Sequence, residues 1–332
     1  MTTARLLVVS QPPHIPGPFS TRRIMLDVLI ALTPAFLAAL YYFGVGAFLV
    51  TATAVVCCLA TEYLIQKFLL RKEPTINDLS AVVTGVLLAM NLPSNIPLGM
   101  VAAGSIFAIG IAKMCYGGLG HNPFNPALMG RVFLLMSFPV AMTSWPKPLI
   151  NRFSVDAVTG PTPLAIIKEG LHAGQPLGEL MPKIPGYLDL FLGNRGGCLG
   201  EVSILAILLG LAYLLYRQVI TWHIPVIAAL SAFLLSGLFW IMTPGSTPDP
   251  FFHLLTGGLI FGIVFMATDY TTSPMTVKGM CFYAAAIGIL TILIRSFGSY
   301  PEGMSFAILI MNAFVPLINK LCKPYRFGEG KI

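Results

Sequence analysis

The sequence predicts an all-α polytopic membrane protein with about ten transmembrane or re-entrant helices arranged in two inverted five-segment repeats. Three observations lead there. Of 332 residues, 56% are hydrophobic and only 10% charged, where soluble domains carry about a quarter charged. The apolar residues are gathered into runs that approach the ~20 residues needed to cross a hydrocarbon core. Lysine and arginine, among them Arg22, Arg23, Lys67, Arg71, Lys72, Lys113, Arg217, Lys278, Lys320 and Lys323, fall at alternate ends of those runs, as the positive-inside rule requires of cytoplasmic loops.

Residues 1–23 read as a retained cytoplasmic tail, since they carry Pro12, Pro13, Pro16 and Pro18 and no apolar stretch followed by a small-residue cleavage site. The first membrane half, residues 24–143, divides into apolar segments near 25–43, 45–66, 79–92, 96–115 and 126–143. The third is short and stops at Asn91-Leu92-Pro93, as a helix does that is broken part-way across. Residues 144–199 are polar and contain Pro146, Pro148, Pro161, Pro163, Pro176, Pro182 and Pro185, which predicts an irregular lid with a short helix near Leu164 to His172. The second half, residues 200–320, divides near 200–217, 220–242, 251–268, 279–296 and 303–320, and residues 321–332 form a second cytoplasmic tail. An even number of crossings places both termini in the cytoplasm and the insert in the periplasm. Arg295 alone sits awkwardly in this scheme, near an outer end.

A weak internal repeat supports the two halves. Thr84-Gly85 and Thr256-Gly257 are each followed by a polar break, an apolar helix, a basic residue and a Gly-rich loop. Five segments per copy invert the second copy in the membrane, an arrangement that puts a site at the interface of the repeats.

Composition also bounds the chemistry. The net charge of +7 lies in tails and short loops, so it orients the chain in a membrane and implies no nucleic-acid partner. The six cysteines form no C-x-x-C pair and read as small buried hydrophobes, with no metal site expected. The histidines show no spacing that would ligate haem. Glu302, Asp269, Asp78, Glu62 and Asp27 are the acids closest to apolar segments and therefore candidates for ion handling, with capping an equally good account of Asp78.

The sharpest local motif is Asp156-Ala157-Val158-Thr159-Gly160-Pro161-Thr162 in the insert. By residue type alone it is an ordinary turn. It resembles, however, the Asp-x-x-Ser/Thr-Gly-Ala-Thr signature to which a flavin transferase attaches FMN, a signature of the D subunit of the Rnf electron-transport complex and of its relative, the B subunit of the sodium-pumping NADH:quinone oxidoreductase. Three further blocks follow the same family in order: Asn122-Pro123-Phe124-Asn125-Pro126-Ala127-Leu128-Met129-Gly130-Arg131, then Thr268-Asp269-Tyr270-Thr271-Thr272-Ser273-Pro274, then Tyr300-Pro301-Glu302-Gly303. Pro161 and Tyr270 depart from the family's alanine and proline.

The resemblance implies FMN held by a phosphoester to Thr162, with Asp156, Thr159 and Gly160 completing the attachment motif, and it leaves room for a second, noncovalent flavin such as riboflavin. It also implies, as partners, other Rnf-type membrane subunits including a second covalent-flavin subunit, iron–sulfur subunits, the flavin transferase and membrane lipid. The location would be the bacterial inner membrane, and the activity electron transfer between ferredoxin and NAD coupled to ion translocation, with no catalytic residue of this chain's own. Because no Gly-x-Gly-x-x-Gly segment lies between a strand and a helix, NAD chemistry would fall to a partner. Asn122, Asn125 and Arg131 are expected as flavin contacts, because helix starts offer free N–H groups and an intramembrane guanidinium needs an anionic partner. A urea-transporter-like channel without redox chemistry is the alternative, since fold does not dictate function.

Overall fold

The structure is a computed structural model that describes residues 20–148, 159–298 and 300–323. Ser20 starts the first helix, α1 (Thr21–Phe43), by accepting a hydrogen bond from the Arg23 amide, and Gly44, at φ +62°, breaks it from α2 (Val45–Leu64). The chain then runs through α3 (Ser80–Met90), α4 (Leu98–Ile106), α5 (Pro126–Ser137) and the short α6 (Pro139–Thr143). Both α2 and α4 end in a π-helical turn, at Ile65–Leu69 and Phe107–Ile111.

The insert is more ordered than an irregular lid. A two-residue antiparallel ladder pairs β1 (Trp145–Pro146) with β2 (Thr159–Gly160). Then come α7 (Pro163–His172), which matches the expected short helix, α8 (Leu177–Leu180) and α9 (Tyr187–Leu192). The second half contains α10 (Ile204–Tyr216), α11 (His223–Met242), α12 (Pro250–Leu255), α13 (Leu259–Phe261) with its continuing π turn Gly262–Met266, α14 (Val277–Phe297) and α15 (Met304–Leu321).

This corrects the expected architecture. Among the described residues, six helical stretches are long and apolar enough to cross a membrane: Thr21–Phe43, Val45–Leu69, Leu98–Tyr116, His223–Met242, Val277–Phe297 and Met304–Leu321. Three others are shorter, α3, α5 and α10 at 11, 12 and 13 residues. At 1.5 Å per residue, α3 reaches about 17 Å, against a hydrocarbon core of roughly 30 Å. The eighth predicted segment is not one helix at all, because Thr256-Gly257-Gly258 interrupts it between α12 and α13, and Gly257 adopts φ +65°. The inverted five-segment repeat fails for the same reason: α1 has 23 residues where its counterpart α10 has 13, and unbroken α3 would have to match the fragments α12 and α13. Hydropathy measures apolar length, and it cannot see a helix broken by two glycines inside an apolar run.

The short helix α3 occupies the centre. Nine of the 11 residues of α3 are buried, so it is apolar on every side, as a helix surrounded by protein must be. Gly85 allows this: a Cβ there would stand 2.8 Å from the Val55 Cα on α2. Around this centre α1 packs on α10, α2 on α3 and α4, α11 on α14, and α14 on α15. Lipid-sized side chains face outward, with Leu37, Phe48, Val56, Leu234 and Ile241 more than half exposed.

Candidate functional site

Among the described residues, two groups of polar side chains are built around ion pairs buried within the apolar body. The first joins the π-turn ends of α2 and α4. Lys113 Nζ lies 2.8 Å from Glu62 Oε2 and donates to Ser80 Oγ at 2.6 Å, while Gln66 Nε2 donates to Glu62 Oε1 at 3.2 Å. Asp78 accepts from the Ser80 amide at 2.8 Å and from its hydroxyl at 2.7 Å, so the capping account of Asp78 is the observed one. The Lys113 and Glu62 side chains are each 2% exposed.

The second group lies where the insert meets the membrane helices. Arg131, at mid-α5, forms an ion pair with Glu302 from the loop before α15. Its Nη1 also donates to Asn91 Oδ1 at 3.0 Å and to Ser305 Oγ at 2.8 Å, and its Nη2 reaches Cys198 Sγ at 3.5 Å. The anionic partner expected for Arg131 is therefore a carboxylate of this chain. Arg195 donates to the carbonyls of Leu255 and Glu201. Arg295, the residue that fits the charge pattern poorly, is buried and ties the carbonyls of Glu302, His253 and Thr256 at 3.0, 2.6 and 2.9 Å. Its charge thus holds the broken α12–α13 junction and marks no loop.

Glu201 Oε2 and Arg195 Nε are buried without a partner. The ligand atoms of Cys198, Glu201 and Glu302 lie within 4.8 Å of one another, close enough to hold a metal ion. Three guanidiniums surround two carboxylates here, and Arg131 already occupies Glu302, so the electrostatics disfavour a cation.

A cavity of about 260 Å³ opens beside this group, lined by Arg131, Trp145, Pro161, Glu169, Tyr300 and Glu302 among others. Its aromatic wall includes Tyr300 stacked on Phe306, with ring centroids 5.2 Å apart. Thr162 is buried at 4% exposure beside it, and its hydroxyl caps α7 by accepting from the Ala165 amide at 3.2 Å. Thr159 is exposed and Gly160 part-buried in β2, whereas Asp156 lies outside the described residues.

The expected site residues do not all converge. Asn125 caps α5, accepting from the amides of Ala127 and Leu128 at 3.0 and 3.3 Å, and donates to the Met266 carbonyl at 3.3 Å. Asn122 donates to Thr271 Oγ1 at 3.0 Å. Both line a different cavity, with Thr268, Asp269 and Thr271. Its volume of about 80 Å³ falls well short of the roughly 300 Å³ at which small-molecule sites begin. Chain proximity groups Arg131 with these asparagines, but six residues of helix carry it to the other cavity.

Sequence reasoning missed Cys198, Glu201, Arg195, Asn91 and Ser305. Glu201 directly precedes an apolar run, the signal used for the other acids. The rest carry no local signal, because chain segments far apart in sequence bring them together. The π turns after Glu62 and before Lys113 were equally invisible.

Residues 8–328 match the NQR2, RnfD, RnfE family. The chain is 47% identical over 329 residues to the D subunit of the Na(+)-translocating ferredoxin:NAD(+) oxidoreductase complex of Acetobacterium woodii, covering 98% of this chain and 96% of that one. It is 44% identical to the D subunit of the proton-translocating ferredoxin:NAD(+) oxidoreductase complex of Clostridium ljungdahlii, covering 98% and 97%. It is 38% identical to the D subunit of the ion-translocating oxidoreductase complex of Cronobacter sakazakii, covering 97% and 99%. With residues 8–328 matched and identities of 38–47% over nearly the whole length of its relatives, this chain belongs to the NQR2, RnfD, RnfE family.

Proposed function

We propose that this protein is the D-type membrane subunit of an Rnf ion-translocating redox complex, and that it holds FMN through a phosphoester to Thr162. Full-length similarity to the D subunits of Na+- and proton-translocating complexes supports the first part. One observation supports the second: Pro161 and Ala165, which flank Thr162 in the chain, line the cavity together with Arg131, Trp145, Tyr300 and Glu302.

The residues present suit such a group. A helix N-terminus favours an anion, and Thr162 stands at the start of the 10-residue α7, at the positive end of its dipole. The aromatic wall and the Arg131 guanidinium offer a stacking face and a fixed positive charge. At about 260 Å³ the cavity takes a ring system that remains partly exposed to a neighbouring protein or to solvent. FMN supplies the electron-carrying chemistry when bound. The chain's own residues position it: β2 and the α7 cap fix the attachment point, and the Arg131–Glu302 pair sets the local charge. Because the Thr162 hydroxyl is buried in the α7 cap, attachment precedes the docking of α7, or α7 lifts to admit the transferase.

In this reading both termini are cytoplasmic and the insert is periplasmic, as the distribution of basic residues favours. Reporter fusions after Ser144 and after Lys331 test the sidedness, and a cytoplasmic signal from the insert reverses it. The attachment is tested by in-gel flavin fluorescence together with peptide mass. Thr162→Ala removes covalent flavin entirely and leaves membrane insertion intact. Fluorescence at wild-type level in that variant excludes Thr162, and a flavin mass on the Thr159 hydroxyl moves the site. If the wild-type chain carries no flavin when produced with its transferase, the redox reading fails and a solute channel becomes the better account.

A further inference from the structure

On the insert side of the helices a second cavity, about 440 Å³ in volume, lies between α7, α11, α12 and α14. Its walls are of two kinds. Leu164, Leu171, Phe239 and Phe252 make one part apolar, while Lys168 and Arg295, with the imidazole of His253 beside them, make the other basic. No aspartate or glutamate lines it among the described residues.

The two cations there are hydrogen-bonded but not neutralised. Lys168 Nζ donates to the carbonyls of Arg295 at 3.2 Å, of Tyr300 at 3.1 Å, and of Gly298. Arg295 likewise bonds carbonyls alone. Carbonyl oxygens satisfy N–H groups without cancelling their charge. The carboxylate of Glu302 is engaged by Arg131, and the guanidiniums of Arg131, Arg195 and Arg295 outnumber the carboxylates of Glu201 and Glu302. The cavity therefore keeps a positive potential inside a low-dielectric wall, where an anion is held more strongly than in water. His253 is 8% exposed, and its Nδ1 is buried without any partner.

Part of the cavity's rim is apolar and exposed. Phe297 lines it and is nevertheless 77% exposed, and Phe239 packs edge-on against Phe297 with centroids 5.8 Å apart. Ile241 and Met242, at the same end of α11, are 72% and 68% exposed. An apolar path thus runs from the basic end of the cavity past Phe297 to the bilayer face. A free aqueous anion has no use for that path, and a neutral lipid has none for the charges.

We propose that this cavity binds an anionic phospholipid of the phosphatidylglycerol class, its phosphodiester beside Lys168, Arg295 and His253 and an acyl chain leaving past Phe297. Basic pockets at helix ends recognise lipid headgroups by this combination of charge and adjoining apolar surface. The bound lipid ties α7 of the insert to α11 and α14, and the inference does not depend on the flavin reading.

The test uses the purified full-length chain, stripped of lipid, with thermal unfolding followed against added dihexanoyl phosphatidylglycerol, dihexanoyl phosphatidylcholine or inorganic phosphate. Phosphatidylglycerol raises the midpoint and the other two do not. Ser296 lines the cavity and is exposed, so it can be changed without disturbing the core. Ser296→Glu weakens the apparent affinity for phosphatidylglycerol about tenfold by like-charge repulsion, and Ser296→Gln, of the same size, changes it less than about twofold. An equal shift with phosphatidylcholine overturns the proposal in favour of nonspecific lipid, and an equal shift with phosphate alone overturns it in favour of a free-anion site. It is also overturned if phosphatidylglycerol gives no shift or if Ser296→Glu binds it as wild type does.

Discussion

The two buried ion pairs of this protein are built from the same kinds of residue and differ in what is left over. At Lys113–Glu62 every charged atom has a partner: Gln66 and Lys113 serve Glu62, and Ser80, itself held by Asp78, serves Lys113. At Arg131–Glu302 the surroundings are unfinished. Glu302 is 15% exposed along its side chain and faces a cavity, while Glu201 Oε2 and Arg195 Nε nearby have no partner. A closed network locks α2 to α4, whereas an open one beside a cavity leaves charge available to something that binds there. Burial of a charged pair therefore marks function only when the network is incomplete.

The largest effect is expected where the network is closed. Lys113→Met leaves Glu62 charged and unpaired in an apolar interior, which costs about 3–5 kcal/mol, while the double change Lys113→Met with Glu62→Leu recovers most of that loss. Thermal or denaturant unfolding of the detergent-solubilised protein reads both. If the double variant is no more stable than the single one, the pair is not the lock described.

At the open network the comparison predicts a change of redox property instead. With FMN attached, Arg131→Leu lowers the flavin midpoint potential, because the reduced anionic ring loses a cation, and Glu302→Gln raises it, because Arg131 is no longer neutralised. Each shift is expected at about 30 mV, equivalent to about 1.4 kcal/mol for a two-electron couple, and a redox titration resolves the signs. Shifts of the same sign would make Arg131–Glu302 a structural tie like the other pair.

A smaller effect tests how far the closed network extends. Asp78→Ala removes the acceptor that holds the start of α3 and orients Ser80 toward Lys113, costing about 1 kcal/mol as capping losses do. Hydrogen exchange at the α3 amides should rise more than at α14. Equal rises would mean that Asp78 acts on the whole fold.

The smallest effect lies outside the membrane helices. The Tyr187 hydroxyl donates to Asp249 at 2.5 Å, joining α9 to the loop before α12, and burial together with that carboxylate pushes its pKa from 10.0 up to about 12. The protonated hydroxyl is the form the fold favours. The contact is therefore fully present below pH 10.0 and is lost as pH rises toward 12. Tyrosinate absorbance should show one late-titrating group that disappears in Tyr187→Phe.

The sequence by itself determined that the chain lives in a membrane, because the length and spacing of apolar runs are properties of composition along the chain. It also determined the short helix after Thr162, the cap at Asp78, and the family, since caps and motifs are read over a few adjacent residues. Only the tertiary structure decided how many runs are long enough to cross. It took three-dimensional packing to show that Thr256-Gly257-Gly258 breaks one run and that α3 is enclosed by α2 and its neighbours. The pairing of Lys113 with Glu62 and the gathering of Asn91, Arg131, Cys198, Glu201 and Glu302 were likewise decided in space. Their partners stand 51 residues apart in the first case and up to 171 in the second. Buried charges must find partners wherever packing brings them, and no local pattern records which distant residue that will be.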